Sequence, residues 1–185
     1  LLQEHAEEAS KIAQRILEGI FRNKHPHLSQ ILSNSLENEI SGYAIDAEAS
    51  SYMYVEGEDV QLELLDYDPI GDEKEYEFTV VQSGPSRIAI QMSFNVKVKA
   101  NATFSFSLHD STDDDYIGMG SSEAEVEDQI EVAALITFEG DFKKTQNQKI
   151  EITSVEIVKG PYSIDFGDVE PDYSNDHYED EPEYA

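Results

Sequence analysis

Cysteine is absent from this 185-residue chain. Its absence excludes thiolate nucleophiles, thiolate zinc sites and disulfides, and agrees with a cytoplasmic setting, where structural disulfides are rare. Basic residues are scarce: 12 Lys and Arg stand against 40 Asp and Glu, a formal net charge of −28. Such an excess repels phosphate backbones and anionic lipid, so direct nucleic-acid binding and electrostatic membrane docking are not expected. Cations and basic partners remain. No window approaches the ~18 apolar residues of a membrane span. The N-terminus, Leu1-Leu2-Gln3-Glu4-His5, has neither an initiator Met nor the charged-then-apolar pattern of a signal peptide, and so reads as a cut from a longer polypeptide.

What the chain does contain is enough apolar material for a core. Hydrophobic residues make up 39%, with 10 Tyr and 8 Phe, too much for a disordered acidic protein. A chain of this length buries roughly 70% of its unfolded surface without help from metals or disulfides. From Glu4 to Arg22, Ala6, Ala9, Ile12, Ala13, Ile16, Leu17, Ile20 and Phe21 recur at three-and-four spacing, which predicts an amphipathic helix. Glu4, Glu7 and Glu8 open it and Arg22 and Lys24 close it, as the helix dipole favours. Pro26 suits the start of a second helix, in which Leu28, Ile31, Leu32, Leu36 and Ile40 continue the spacing to about Glu39.

From about Tyr43 the period becomes two. Val60, Leu62 and Leu64 alternate with polar residues, as do Tyr76, Phe78 and Val80. The longest alternation is Ile88, Ile90, Met92, Phe94, Val96 and Val98, after a Ser83-Gly84-Pro85 turn. Phe104, Phe106 and Leu108 follow beyond Asn101, then Ile130 to Phe138, then Ile150 and Ile152. The phase slips at Thr153-Ser154 before Val155 and Ile157, which predicts a bulge. Tyr162, Ile164 and Phe166 would form a last edge strand. These patterns predict an α+β fold: an N-terminal helix or helical hairpin over 1–40, an antiparallel sheet or sandwich of about six to eight strands over 41–167, and an acidic Tyr-containing tail over 168–185. Strands with one polar face exclude a doubly wound parallel sheet, and no GxGxxG or GxxxxGK[ST] run is present. The tail holds eight acids, three Tyr and no Lys or Arg, and is expected to be extended or disordered on its own.

Two acidic segments, each expected as a turn after a strand, are the sharpest local features. One runs from Asp66 through Asp68 to Asp72 and Glu73; the other holds Asp110, Asp113, Asp114 and Asp115 before Tyr116-Ile117-Gly118. Both resemble the calcium loops of C2 domains. That resemblance implies Ca²⁺ bound by Asp66, Asp68, Asp72, Asp110, Asp113, Asp114 and Asp115, since hard cations take six to eight oxygens. In a chain with 40 acids the same clusters also arise as ordinary solvated turns. Neither fits the EF-hand pattern. His25 and His27 punctuate the helix break. His109, next to Asp110, could serve as a general base, but no nucleophile stands beside it in sequence, and no catalytic residue is assigned. Asn101-Ala102-Thr103 is formally a glycosylation acceptor, taken as chance without a secretion signal. Lys97 and Lys99, and Lys143-Lys144, are too few for a nucleic-acid groove. Reversed polarity is the alternative: an acidic surface can imitate a phosphate backbone and occupy a basic groove.

The strand over 60–69 (Val-Gln-Leu-Glu-Leu-Leu-Asp-Tyr-Asp-Pro), Phe-Ser-Phe-Ser-Leu-His-Asp-Ser at 104–111 and Ser-Ile-Asp-Phe-Gly-Asp-Val-Glu-Pro at 163–171 together resemble the acidic β-rich region that follows the nuclease domain of bacterial PIN-like proteins. The resemblance covers most of 40–171. It implies a non-catalytic accessory or regulatory domain, in contact with a protein partner or an upstream domain of the same chain. The alternating α/β segment that would carry PIN metal-binding acids is absent, so no catalytic residue is carried over.

Overall fold

A computed structural model describes residues 2–72, 75–143 and 149–175. Helix α1 spans Leu2–Phe21 and α2 Pro26–Ser41. Ala9, Ala13, Ile16, Leu17 and Ile20 are buried on α1, and Leu28, Leu32, Leu36 and Ile40 on α2. The turn between them is set by Asn23, at a left-handed φ of 56°, and by the Lys24 and His25 amides, which both donate to the Gly19 carbonyl at 2.8 and 2.9 Å. A Cβ on Gly19 would stand 2.1 Å from the His25 ring, so glycine lets that ring close over the helix end. The helical hairpin agrees with its expected bounds to within two residues at each end.

Among the described residues nine strands follow: β1 Asp46–Ser50, β2 Tyr54–Pro69, β3 Gly71–Asp72, β4 Glu75–Tyr76, β5 Phe78–Ser83, β6 Arg87–Asp110, β7 Asp115–Glu139, β8 Glu151–Lys159 and β9 Ser163–Asp168, before a 3₁₀ turn at Tyr173–Asn175. The main sheet has five strands in the order β2-β6-β7-β8, with β5 also paired to β6. The β5–β6 and β7–β8 ladders are antiparallel, and the α+β expectation holds. Details of the strands differ from the sequence reading. The runs at 88–98 and 104–108 are one strand, because Ala100 and Ala102 keep the inward phase between Val98 and Phe104. β7 starts at Asp115 rather than near Ile130. β1 and β9 pair in parallel, as a separate two-stranded sheet.

By contact density the chain forms two compact units. The first comprises Leu1–Ala44, Leu62–Lys99 and Glu127–Tyr162; the second Ile45–Gln61, Ala100–Val126 and Ser163–Ala185. In the first, α1 packs on β4 and β5 and α2 on β8. Ile88, Ile90, Met92, Phe94, Val96 and Val98 of β6 and Val132, Ala134, Ile136 and Phe138 of β7 are buried there. Phe21 lies with its ring centroid 5.1 Å from Tyr76 and 6.4 Å from Phe94. The expected bulge is present: Thr137 faces Ser154 while Phe138 faces Ile152, leaving Thr153 without a register partner. A second irregularity skips Val158, between Lys159 and Ile157.

β8 ends the strand order, so its outer amides need other acceptors. Glu39 of α2 meets one of them, its Oε2 accepting the Ile157 amide at 3.0 Å. The Tyr43 hydroxyl donates to the Pro161 carbonyl at 3.0 Å.

The core of the second unit is built from smaller pieces. Met53, Ala102, Phe104, Phe106 and Val169 are buried, with Ala47, Ala49, Val55, Val60, Met119, Ala124 and Phe166 packed around them. Phe166 meets Phe104 edge-on at 5.2 Å. A Cβ on Gly57 would fall 2.7 Å from the Ala47 Cβ and 3.0 Å from the Phe104 ring, so β2 approaches β1 closely there. The acidic tail does not begin as free chain at 168. Val169 and Pro171 are buried, the Val169 amide donates to Ser50 at 2.8 Å and the Asp172 amide to Ser121 at 3.2 Å. Residues 176–185, with their five acids, His177, Tyr178 and Tyr184, lie outside the described residues, as do Glu73 and Lys144.

Replacing Glu39 with Ala leaves the half-buried Ile157 amide unpaired and should cost about 1–3 kcal/mol. Glu37→Ala, at an exposed position of the same helix, should stay within about 0.5 kcal/mol. Urea unfolding of both variants checks the contrast.

Candidate functional site

Charge is divided very unequally between the two units. All 12 Lys and Arg belong to the first, together with 20 acids, for a net −8; the second holds the other 20 acids and no Lys or Arg, for a net −20. The first unit offsets part of its charge locally. Lys97 Nζ lies 2.8 Å from Glu127 Oε2, and that hydrogen bond and attraction raise the Lys97 pKa and lower that of Glu127. Arg87 and Glu139 approach to 3.9 Å, and Lys149 and Glu151 to 3.0 Å. The second unit has no permanent cation for this purpose.

In the second unit the acids follow from strand alternation. β7 reads Glu123-Ala124-Glu125-Val126, with the Glu exposed and Ala124 and Val126 half-buried; β2 reads Tyr54-Val55-Glu56-Gly57-Glu58 in the same way. Asp59 breaks the β2 pattern at a left-handed φ of 53°. These strands line a groove of about 700 Å³ bordered by Asp59, Gln61, Asn101, Thr103, Glu123 and Glu125. Its donors and acceptors are carboxylates, amides and one hydroxyl, which suit a cationic or polyhydroxylated guest and oppose an anion. Asn101, first residue of the glycosylation-type triplet, is exposed in this groove.

The turn 111–114 joins β6 to β7. Asp110 Oδ1 accepts the Thr112 amide at 2.8 Å, and Asp114 takes a left-handed φ of 54°, as short acidic side chains in tight turns do. His109 Nε2 and Asp114 Oδ1 lie 3.0 Å apart. The His109 ring stands edge-on to Tyr116 at 5.2 Å, and Tyr116 packs against Tyr54 at 5.4 Å. Tyr54 and Tyr116 are each 57% exposed, and Asp114 is 94% exposed. A second tyrosine pair, Tyr52 with Tyr173, is also exposed. The hydrogen bond to Tyr173, followed by partial burial, the Tyr173 charge and the Glu170 carboxylate, holds the Tyr52 hydroxyl above its ordinary pKa.

The carboxylates expected for calcium are divided between the two units. Asp66 and Asp68 lie inside β2, not in the expected turn, and with Asp72 of β3 belong to the first unit. Asp66 Oδ1 accepts the Tyr67 amide at 2.9 Å. Asp110, Asp113, Asp114 and Asp115 belong to the second unit, around its turn. Among the described residues no three His, Asp or Glu side chains are grouped as metal ligands. His25 and His27 sit at the helix break, exposed. Sequence reasoning missed the Tyr54–Tyr116–His109 row. Its signal was present as aromatic residues flanking the Asp-rich turn, but the partnership across strands is a tertiary fact.

No family model, curated protein or solved structure matches this chain.

Substituting Tyr173 with Phe removes the bond that raises the Tyr52 pKa, so Tyr52 should ionise at lower pH. Alkaline absorbance titration, with Tyr52→Phe as the subtraction control, reads this directly. The sign follows from the raised pKa: the Tyr52 contribution to stability is complete below the ordinary tyrosine range and is lost as pH rises through the raised folded value.

Proposed function

We propose that this chain is a non-catalytic interaction module whose second unit presents an acidic, tyrosine-bearing surface to a basic protein partner, with the first unit as its folded base. The division of charge carries this reading: 20 acids without one Lys or Arg in the second unit, against 20 acids and 12 bases in the first. Solubility alone calls for dispersed charge of both signs, as the first unit has. Concentrating one sign on one unit creates a field that steers a basic surface toward it and rejects phosphate. The groove bordered by Asp59, Glu123 and Glu125 offers receptors for Lys or Arg side chains.

The likeness to the region following PIN-like nuclease domains supplies a specific partner class. The basic nucleic-acid groove of such a nuclease, whether upstream in the same polypeptide or on another chain, has the charge this surface complements. The module would then limit access of nucleic acid to that groove. His109 and Asp114 form a base and an orienting acid, yet they sit on an exposed turn, and among the described residues no hydroxyl nucleophile is bonded to the ring. Binding is therefore favoured over catalysis. A cytoplasmic location accords with the lack of cysteine. No helix among the described residues is long and apolar enough to cross a membrane.

Titration of the full chain with a labelled basic peptide should show binding that falls steeply with added salt. The triple variant Asp59→Asn, Glu123→Gln, Glu125→Gln should bind about ten-fold more weakly if each charge contributes roughly half a kcal/mol at a screened surface. A chain ending at Asn175 separates binding by the groove from binding by the last ten residues. Absence of salt-sensitive binding in the full chain would contradict the reading.

A further inference from the structure

Building on the acidic-module reading, we infer that Tyr54, Tyr116 and His109 form a stacking platform for arginine, so that the partner engages the second unit through an arginine-bearing segment. The three rings are consecutive neighbours, Tyr54 to Tyr116 at 5.4 Å and Tyr116 to His109 at 5.2 Å, and they come from β2, β7 and β6 respectively. Aromatic rings that serve only as core are covered, as Phe104 and Phe106 are in this same unit. Tyr54 and Tyr116 instead leave more than half of their surface to water.

The surroundings select the guest. Asp110, Asp113, Asp114 and Asp115 stand in or beside the same turn, and the Asp114 carboxylate, 3.0 Å from His109 Nε2, is 94% exposed. A flat cation lying on a tyrosine ring with a carboxylate at its edge is the arrangement a guanidinium satisfies best. Its plane stacks on the ring while its N–H fork meets both carboxylate oxygens. An ammonium gains the charge attraction without the planar stack. A nucleobase could also stack on these rings, but its phosphates would face a unit of net −20. A second copy of the chain would bring a net −28, which repels this surface.

The experiment uses two peptides of equal length and charge, one carrying Arg and one Lys among Gly and Ser, titrated into the full chain at fixed salt. The expected result is about three- to five-fold tighter binding of the arginine peptide. Tyr54→Ser/Tyr116→Ser should abolish that preference and Tyr54→Phe/Tyr116→Phe should keep it. Tyr116→Leu alone, which retains apolar bulk but loses the ring, should reduce the preference even if the double serine variant unfolds. Equal binding of the two peptides by the natural chain, or a preference unchanged in both ring-deleted variants, overturns the platform while leaving the charge reading intact. Failure of both peptides to bind overturns the two together. Tighter binding of a single-stranded oligonucleotide than of either peptide overturns the assignment to arginine.

Discussion

The fold depends on one uninterrupted period of two along β6. From Ile88 to Phe106 the even-numbered positions are all buried, through Met92, Phe94, Val96, Val98, Ala100, Ala102 and Phe104. A slip of one residue would turn Gln91, Asn95 and Lys97 inward and desolvate them, so the register is held by the cost of burying polar groups as well as by apolar burial. Its 24 residues contribute to both compact units, and each unit's core is built on its own part of the strand.

The two units use this common strand differently. In the first, branched and aromatic side chains on β6 and β7 face two amphipathic helices, and fully buried Phe94, Phe138, Leu32 and Ile136 supply large apolar areas. In the second, alanine, glycine and valine occupy many inward positions, so each residue buries less surface and the aromatic contributions come from Phe104, Phe106 and Phe166. The unit with the smaller core also carries net −20. Self-repulsion among like charges opposes compaction, and the parallel β1–β9 pair, with the Val169 amide bonded to Ser50, closes the unit against it.

How far the sequence could be read follows from the same contrast. The helical hairpin, the 88–98 strand and the Thr153 bulge were legible because large apolar residues make a strong periodic signal. β1, with Ala47 and Ala49 as its inward residues, and the 115–129 half of β7, with Ala124 and Val126, were hidden by small side chains among acids that resemble turn material. Asp66 and Asp68 read as a turn because Asp, Tyr and Pro cluster there, yet the ladder with β6 carries β2 on to Pro69. The concentration of charge was present in the composition from the start. It became visible only when three separated stretches, 45–61, 100–126 and 163–185, proved to be one unit without a single Lys or Arg.

On the proposed reading, the second unit tolerates a one-sided charge that works against its own folding because a basic partner neutralises it. Amide hydrogen exchange at increasing concentrations of monovalent salt tests it most directly, because screening relieves repulsion where charge is unbalanced and does little where it is paired. Protection of Asp46–Ser50, Ser163–Asp168 and residues 115–126 should rise with salt while that of residues 88–98 and 132–138 stays nearly constant. Equal salt response in the two sets, or loss of protection in the second unit as salt rises, would contradict the claim.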